Sequence, residues 1–138
     1  MRKTALYTFL MIFMLNVSAF ALMNNDYKDQ PLTKALHKTG IKIIDIRTEP
    51  EWKSWGIVKG SHTLTFFDER GRYDANSFLR DLNKIVKPDE RFAIICRSGN
   101  RTTTVAKFLR KVGYRKVINL KGGIKKAIQN GVEIEKYK

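Results

Sequence analysis

The residues best suited to chemistry lie together in one short stretch, Cys96-Arg97-Ser98-Gly99-Asn100-Arg101. Cys96 is the only cysteine in the chain of 138 residues. An intramolecular disulfide is therefore excluded, and so is dithiol redox chemistry of the Cys-x-x-Cys kind. What remains is a thiol that is buried and inert, paired with another chain, or used as a nucleophile. Cysteine is among the most buried residue types, so the inert reading has weight. Against it, Arg, Ser, Gly, Asn and Arg in the next five positions make poor core and good anion binding.

The elements on either side explain what such a loop could do. Residues 91–95 are an apolar run without alternation, as expected for the covered centre of a parallel sheet. Downstream, Val105, Phe108, Leu109 and Val112 recur at helical spacing, and Gly113 ends the pattern. The loop thus joins the carboxyl end of a buried strand to a helix start, where unpaired N–H groups and the positive end of the dipole converge. Gly99 allows a tight turn, and Arg97 and Arg101 add two cations. That setting favours a thiolate. The dipole supplies roughly 0.3–1 kcal/mol at an exposed site and up to ~2 kcal/mol if partly buried, so it is marginal alone and loop N–H groups must add to it.

The remainder of the chain alternates strand and helix. Leu32, Ala35 and Leu36 share a helical face after Pro31 and before Gly40, and residues 41–46 are a β-branched strand. Residues 49–55 read as a helix stopped by Gly56, and 62–67 as a strand candidate. Asp74 can cap a helix burying Phe78, Leu82 and Ile85 and ended by Pro88. Residues 116–120 form another strand, Gly122-Gly123 a turn, and 124–129 a last helix. The fold class is therefore α/β, a small parallel sheet of four to five strands with helices on both faces. Ligands bind at the carboxyl ends of strands in such sheets, which is where Cys96 stands. His37, on a helix surface, and His62, at a strand start, have no ligand-spaced companions, so neither a metal nor a cofactor is expected. Trp52 and Trp55 are expected to pack.

Three segments in order resemble the rhodanese-like sulfurtransferases. The Cys96 loop is similar to that family's Cys-Arg-x-Gly-x-Arg loop. Ile44-Asp45-Ile46-Arg47, with Glu51-Trp52 and Gly56-Ile-Val-Lys-Gly60, resembles its first signature. Val117-Ile-Asn-Leu-Lys-Gly-Gly123 resembles its last strand and Gly-Gly turn. Ile57 and Lys59 replace the usual His and Pro, and the aromatic residue after the Gly-Gly turn is missing. The resemblance implies that Cys96 takes a sulfane sulfur from a small anionic donor such as thiosulfate and passes it to a thiophilic acceptor. It casts Arg97, Ser98, Gly99, Asn100, Arg101 and Thr102 as substrate-binding residues, with Asp45 and Arg47 a supporting ion pair beneath the loop. Cys-based phosphatases and arsenate reductases are the rival enzymes, but they carry five residues between Cys and Arg where this loop has four. A non-catalytic persulfide carrier or interaction module is the other alternative.

The N-terminus is a separate matter. Met1-Arg2-Lys3, an apolar run over 5–17 and Ala19-Phe20-Ala21 read as a secretory signal, residues 1–21, with an expected cut after Ala21, which would leave 22–138 as a single rhodanese-like domain. The alternative is an uncleaved membrane anchor, which Asn16, Ser18 and the cleavage pattern disfavour. The expected location is the periplasm, without stable membrane insertion after cleavage, and residues 22–30 are expected to be loosely held. The formal net charge is +14, to which Arg2 and Lys3 contribute two. Export argues against nucleic acid as the partner of this basic protein. Small anions fit, and an acidic partner protein could dock on the cluster of Arg110, Lys111, Arg115, Lys116, Lys121, Lys125 and Lys126, although a solvated face is the simpler reading.

Overall fold

The computed structural model describes residues 29–138, so the expected leader and residues 22–28 lie outside the described residues. In chain order the elements are α1 (Lys34–Lys38), β1 (Ile43–Asp45), α2 (Glu49–Trp55), β2 (Ile57–Val58), β3 (His62–Thr63), α3 (Ala75–Ile85), β4 (Phe92–Ile95), α4 (Asn100–Lys111), β5 (Val117–Asn119), α5 (Gly123–Gln129) and β6 (Ile134–Glu135).

Four strands form a parallel sheet in the order β3-β1-β4-β5. Because successive strand residues point to opposite faces, the apolar runs feed two cores. Ile44, Phe92, Ile94 and Val117 meet Phe78 and Leu82 of α3 and Val105 and Leu109 of α4. Ile43, Ala93, Ile95 and Ile118 meet Leu36 of α1 and Ile124 and Ala127 of α5. Helices therefore cover both faces, and β4 sits at the centre with all four residues buried. Among the described residues no helix is long and apolar enough to cross a membrane.

Local signals set most element ends. The Asp74 carboxylate accepts the Ser77 N–H at the start of α3. Gly56 stops α2 with a positive φ of 73° and an extended ψ of −173°, a conformation that favours glycine. Other expectations need correction. Helix α1 starts after Thr33 rather than at Pro31, because the Thr33 hydroxyl caps it by accepting the Leu36 N–H, and Ala35 is exposed. Val112 lies at the end of α4 and is 45% exposed rather than inward. The strand expected over 62–67 is only two residues long. Two strands were not foreseen, since β2 pairs antiparallel with β6 in a separate ribbon. The segment before α1 is also tied at its end, where Gln30 bridges to Leu120 and Asp29 accepts hydrogen bonds from Arg110 and the Asn119 N–H.

Candidate active site

Cys96 follows the last residue of β4 directly, and Gly99 caps α4. The turn between them brings the Gly99 N–H to 3.2 Å from the Cys96 sulfur. The Thr102 hydroxyl lies 3.5 Å from the same sulfur and donates to the Gly99 carbonyl at 3.1 Å. That hydroxyl has one proton, so it serves either the carbonyl or the sulfur. Gly99 needs its φ of 96°, and a Cβ there would come within 2.9 Å of the Gly122 nitrogen. Cys96 and Thr102 are buried, whereas Arg97, Ser98 and Asn100 are exposed on the rim. The thiol thus lies beneath a polar loop at a helix start.

The loop rests on the Gly-Gly turn. The N–H groups of Ile124 and Lys125 donate to the carbonyls of Cys96 and Arg97 at 2.9 and 3.3 Å. A Cβ on Gly123 would collide with both of those carbonyls. The glycine is required because two backbones touch there.

A second support comes from β1 and α2. Arg47 and Asp45 form an ion pair with neither side chain exposed, 2.7 Å between Nη2 and Oδ2. The Arg47 Nε–H also donates to both carboxylate oxygens, and the Trp52 Nε1–H donates to Asp45 Oδ1 at 3.1 Å. Arg47 further donates to the Gly56 carbonyl at 2.7 Å, while its own carbonyl accepts the Thr65 hydroxyl. Two buried charges are costly unless their remaining hydrogen-bonding capacity is used, and here it is. The pair ties the end of β1 to Trp52 within α2 and to Gly56 at its C-terminal end, while the Arg47 backbone is joined to the chain after β3.

The two loop arginines differ. Arg101 is bidentate to Glu51, with N···O distances of 2.8 and 2.7 Å. Glu51 Oε2 also accepts the Thr48 N–H and hydroxyl. The Arg101 guanidinium, first of all, and the Thr48 N–H hold the Glu51 carboxyl down at about 2 despite partial burial. Glu51 in turn raises Arg101. Arg97 instead lies over the Trp55 ring, 5.4 Å from its centroid. Trp55 is 42% exposed, so the expectation that both tryptophans pack holds for Trp52 alone.

The structure thus brings Cys96, Gly99 and Thr102 together and sets Arg97, Ser98 and Asn100 around them. Arg101 is bound to Glu51, and Asp45 with Arg47 lies behind. Glu51 was missed as a functional residue. Its signal is the Thr48-x-x-Glu51 spacing of a capping box, which explains the bond to Thr48 but not the reach to Arg101.

A parallel α/β domain with a cysteine loop at the carboxyl edge of its central strand defines a class, and comparison with known proteins narrows it. The chain belongs to the rhodanese-like domain family, which matches residues 29–130. It is 28% identical over 100 residues to thiosulfate sulfurtransferase 18 of Arabidopsis thaliana, covering 69% of this chain and 72% of that protein. Among solved structures, a rhodanese-related protein of Thermoplasma volcanium is 25% identical with a TM-score of 0.57, covering 77% of this chain and 97% of that one. A Rhodopseudomonas palustris protein described as a possible tyrosine phosphatase is 28% identical with a TM-score of 0.56, covering 78% and 85%.

Proposed function

We propose that this protein is a sulfurtransferase in which Cys96 carries a sulfane sulfur from thiosulfate or a related anionic donor to a thiophilic acceptor. The observation that carries this reading is the Cys96 sulfur held against the Gly99 N–H at the start of α4. The Cys96 thiolate attacks the outer sulfur of thiosulfate, a new S–S bond forms, and the old one breaks with sulfite leaving on the electron pair. The acceptor then attacks the outer sulfur of the Cys96 persulfide and the thiolate is regenerated. The cycle needs no external oxidant or reductant. A backbone N–H fixed in the loop suits both charged states, since it needs no reorganisation as charge moves from one sulfur to the next. The Arabidopsis relative's name supports the same donor class.

A phosphatase reading has one specific support, the name of the Rhodopseudomonas structure. Loop length argues against it, since four residues separate Cys96 from Arg101 where the Cys-based phosphatases carry five. The test is a side-by-side assay of thiocyanate formation from thiosulfate and cyanide, and of p-nitrophenyl phosphate hydrolysis. Thiocyanate formed by the native protein and not by Cys96→Ser is the expected outcome. Cys96-dependent phosphate release without thiocyanate would reverse the assignment.

A further inference from the structure

We propose that the rim of the Cys96 loop is a docking surface for an acidic protein segment that presents the thiol acceptor; this rests on the sulfurtransferase reading. The inference comes from how the described charges are distributed. Most acidic side chains are matched by a cation: Asp45 by Arg47, Glu49 by Lys53, Glu51 by Arg101, Asp68 by Arg72, Asp81 by Lys84 and Glu133 by Lys59. On the basic cluster, Arg110 is likewise taken by Asp29.

Three cations at the loop, like exposed lysines elsewhere such as Lys107 and Lys111, have no acidic partner among the described residues. What sets these three apart is their place around the Cys96 loop. Arg97 lies over the Trp55 ring and pairs with no acid among the described residues. Lys121 and Lys125 are exposed, and neither side chain pairs with an acid among the described residues. The backbone places them beside the nucleophile. Lys125 donates its N–H to the Arg97 carbonyl, and the chain passing from Lys121 to Gly122 touches Gly99. Trp55 adds a half-exposed aromatic face to the same rim.

Tryptophan and arginine dominate the energetics of protein interfaces, and a rim of one charge steers partners of the other. Three unmatched cations on two loops, with an indole face, exceed what one small dianion can engage. They fit a carboxylate-rich segment whose thiol reaches Cys96. In the transfer, the acceptor thiolate forms an S–S bond to the outer persulfide sulfur, the Cys96–S bond breaks, and Cys96 leaves as thiolate.

The experiment separates loading from transfer. Full-length processed protein is first loaded to completion with thiosulfate and checked by intact mass. Persulfide loss is then followed in a single turnover with two synthetic peptides, each with one cysteine, one set among Glu and Asp and the other among Ser and Gln. The acidic peptide should accept sulfur about tenfold faster or more at low ionic strength, as electrostatic steering allows. That preference should collapse in high salt and in Lys121→Gln/Lys125→Gln, which should still load fully. Equal rates for the two peptides, or a preference unchanged in the double variant, would overturn the docking surface while leaving the sulfurtransferase reading intact. Failure of the native protein to load would instead remove the reading beneath it. Fast transfer to free cyanide with neither peptide reactive would assign the rim to small anions.

Discussion

Around Cys96 the side chains fall into those that meet the thiol and those that hold the loop in place, and the second group is open to direct tests. Asp45 and Arg47 are the sharpest case, because removing one charge leaves the other buried and unpaired. Asp45→Asn should cost about 3–5 kcal/mol in denaturant unfolding. A near-native midpoint would show that the pair is not what holds β1 to α2. Glu51 makes a pH-dependent contribution. Its carboxyl is lowered from 4.5 to about 2, so the stabilisation is complete above the higher value and is lost as pH falls through the lower. Glu51→Gln should therefore be less stable than the native protein near neutral pH, by about 1–3 kcal/mol, with the gap closing as pH falls toward 2. A gap that does not change with pH would mean that the Arg101 bridge contributes nothing. The resemblance of Ile44-Asp45-Ile46-Arg47 to the family's first signature made this pair legible from sequence. The bridge between Glu51 and Arg101 joins residues on two separate elements, and no local pattern encodes that reach.

At the scale of elements, the loop is only as well placed as the Gly-Gly turn beneath it. Gly123 has φ of +58°, and a Cβ there would enter the carbonyls of Cys96 and Arg97. Gly123→Ala should reduce thiocyanate formation by more than about tenfold and lower the Tm, as expected where strain and a steric clash combine. Gly40→Ala is the matched control, with φ of +74° and nothing within 4 Å of the added carbon. It should cost roughly 1–2 kcal/mol from backbone strain alone and leave activity intact. Equal activity losses in both would deny the turn its role under the loop. The sequence makes the Gly-Gly turn visible and its partner invisible, because a turn is local whereas the contact is between the starts of α4 and α5. The same limit explains β2 and β6. Two-residue strands show no alternation, and only pairing between Ile57–Val58 and Ile134–Glu135 defines them. By contrast, β4 and α3 were readable because a fully buried strand and a capped amphipathic helix carry their own signatures.

At the scale of the whole molecule, the α/β order and the position of the cysteine loop followed from the alternation of elements, since a parallel sheet with covered faces is the arrangement that buries those apolar runs. The partition of charge did not. The basic cluster read as one patch in sequence is divided in three dimensions, with Arg110 tied to Asp29 and Lys121 and Lys125 beside the loop. Export is our proposal from residues 1–21, and the expected product in a Gram-negative host is a periplasmic chain starting at Leu22. N-terminal sequencing and fractionation read this directly. A cytoplasmic chain still carrying Met1-Arg2-Lys3 would contradict it.

The central claim is that Cys96 carries the sulfur, and intact mass of the reduced protein after exposure to thiosulfate tests it most directly. We expect the native chain to gain one sulfur atom, to lose it to cyanide with thiocyanate appearing, and Cys96→Ser to gain none. No added sulfur from thiosulfate or from organic persulfides, or an equal gain by Cys96→Ser, would contradict the account.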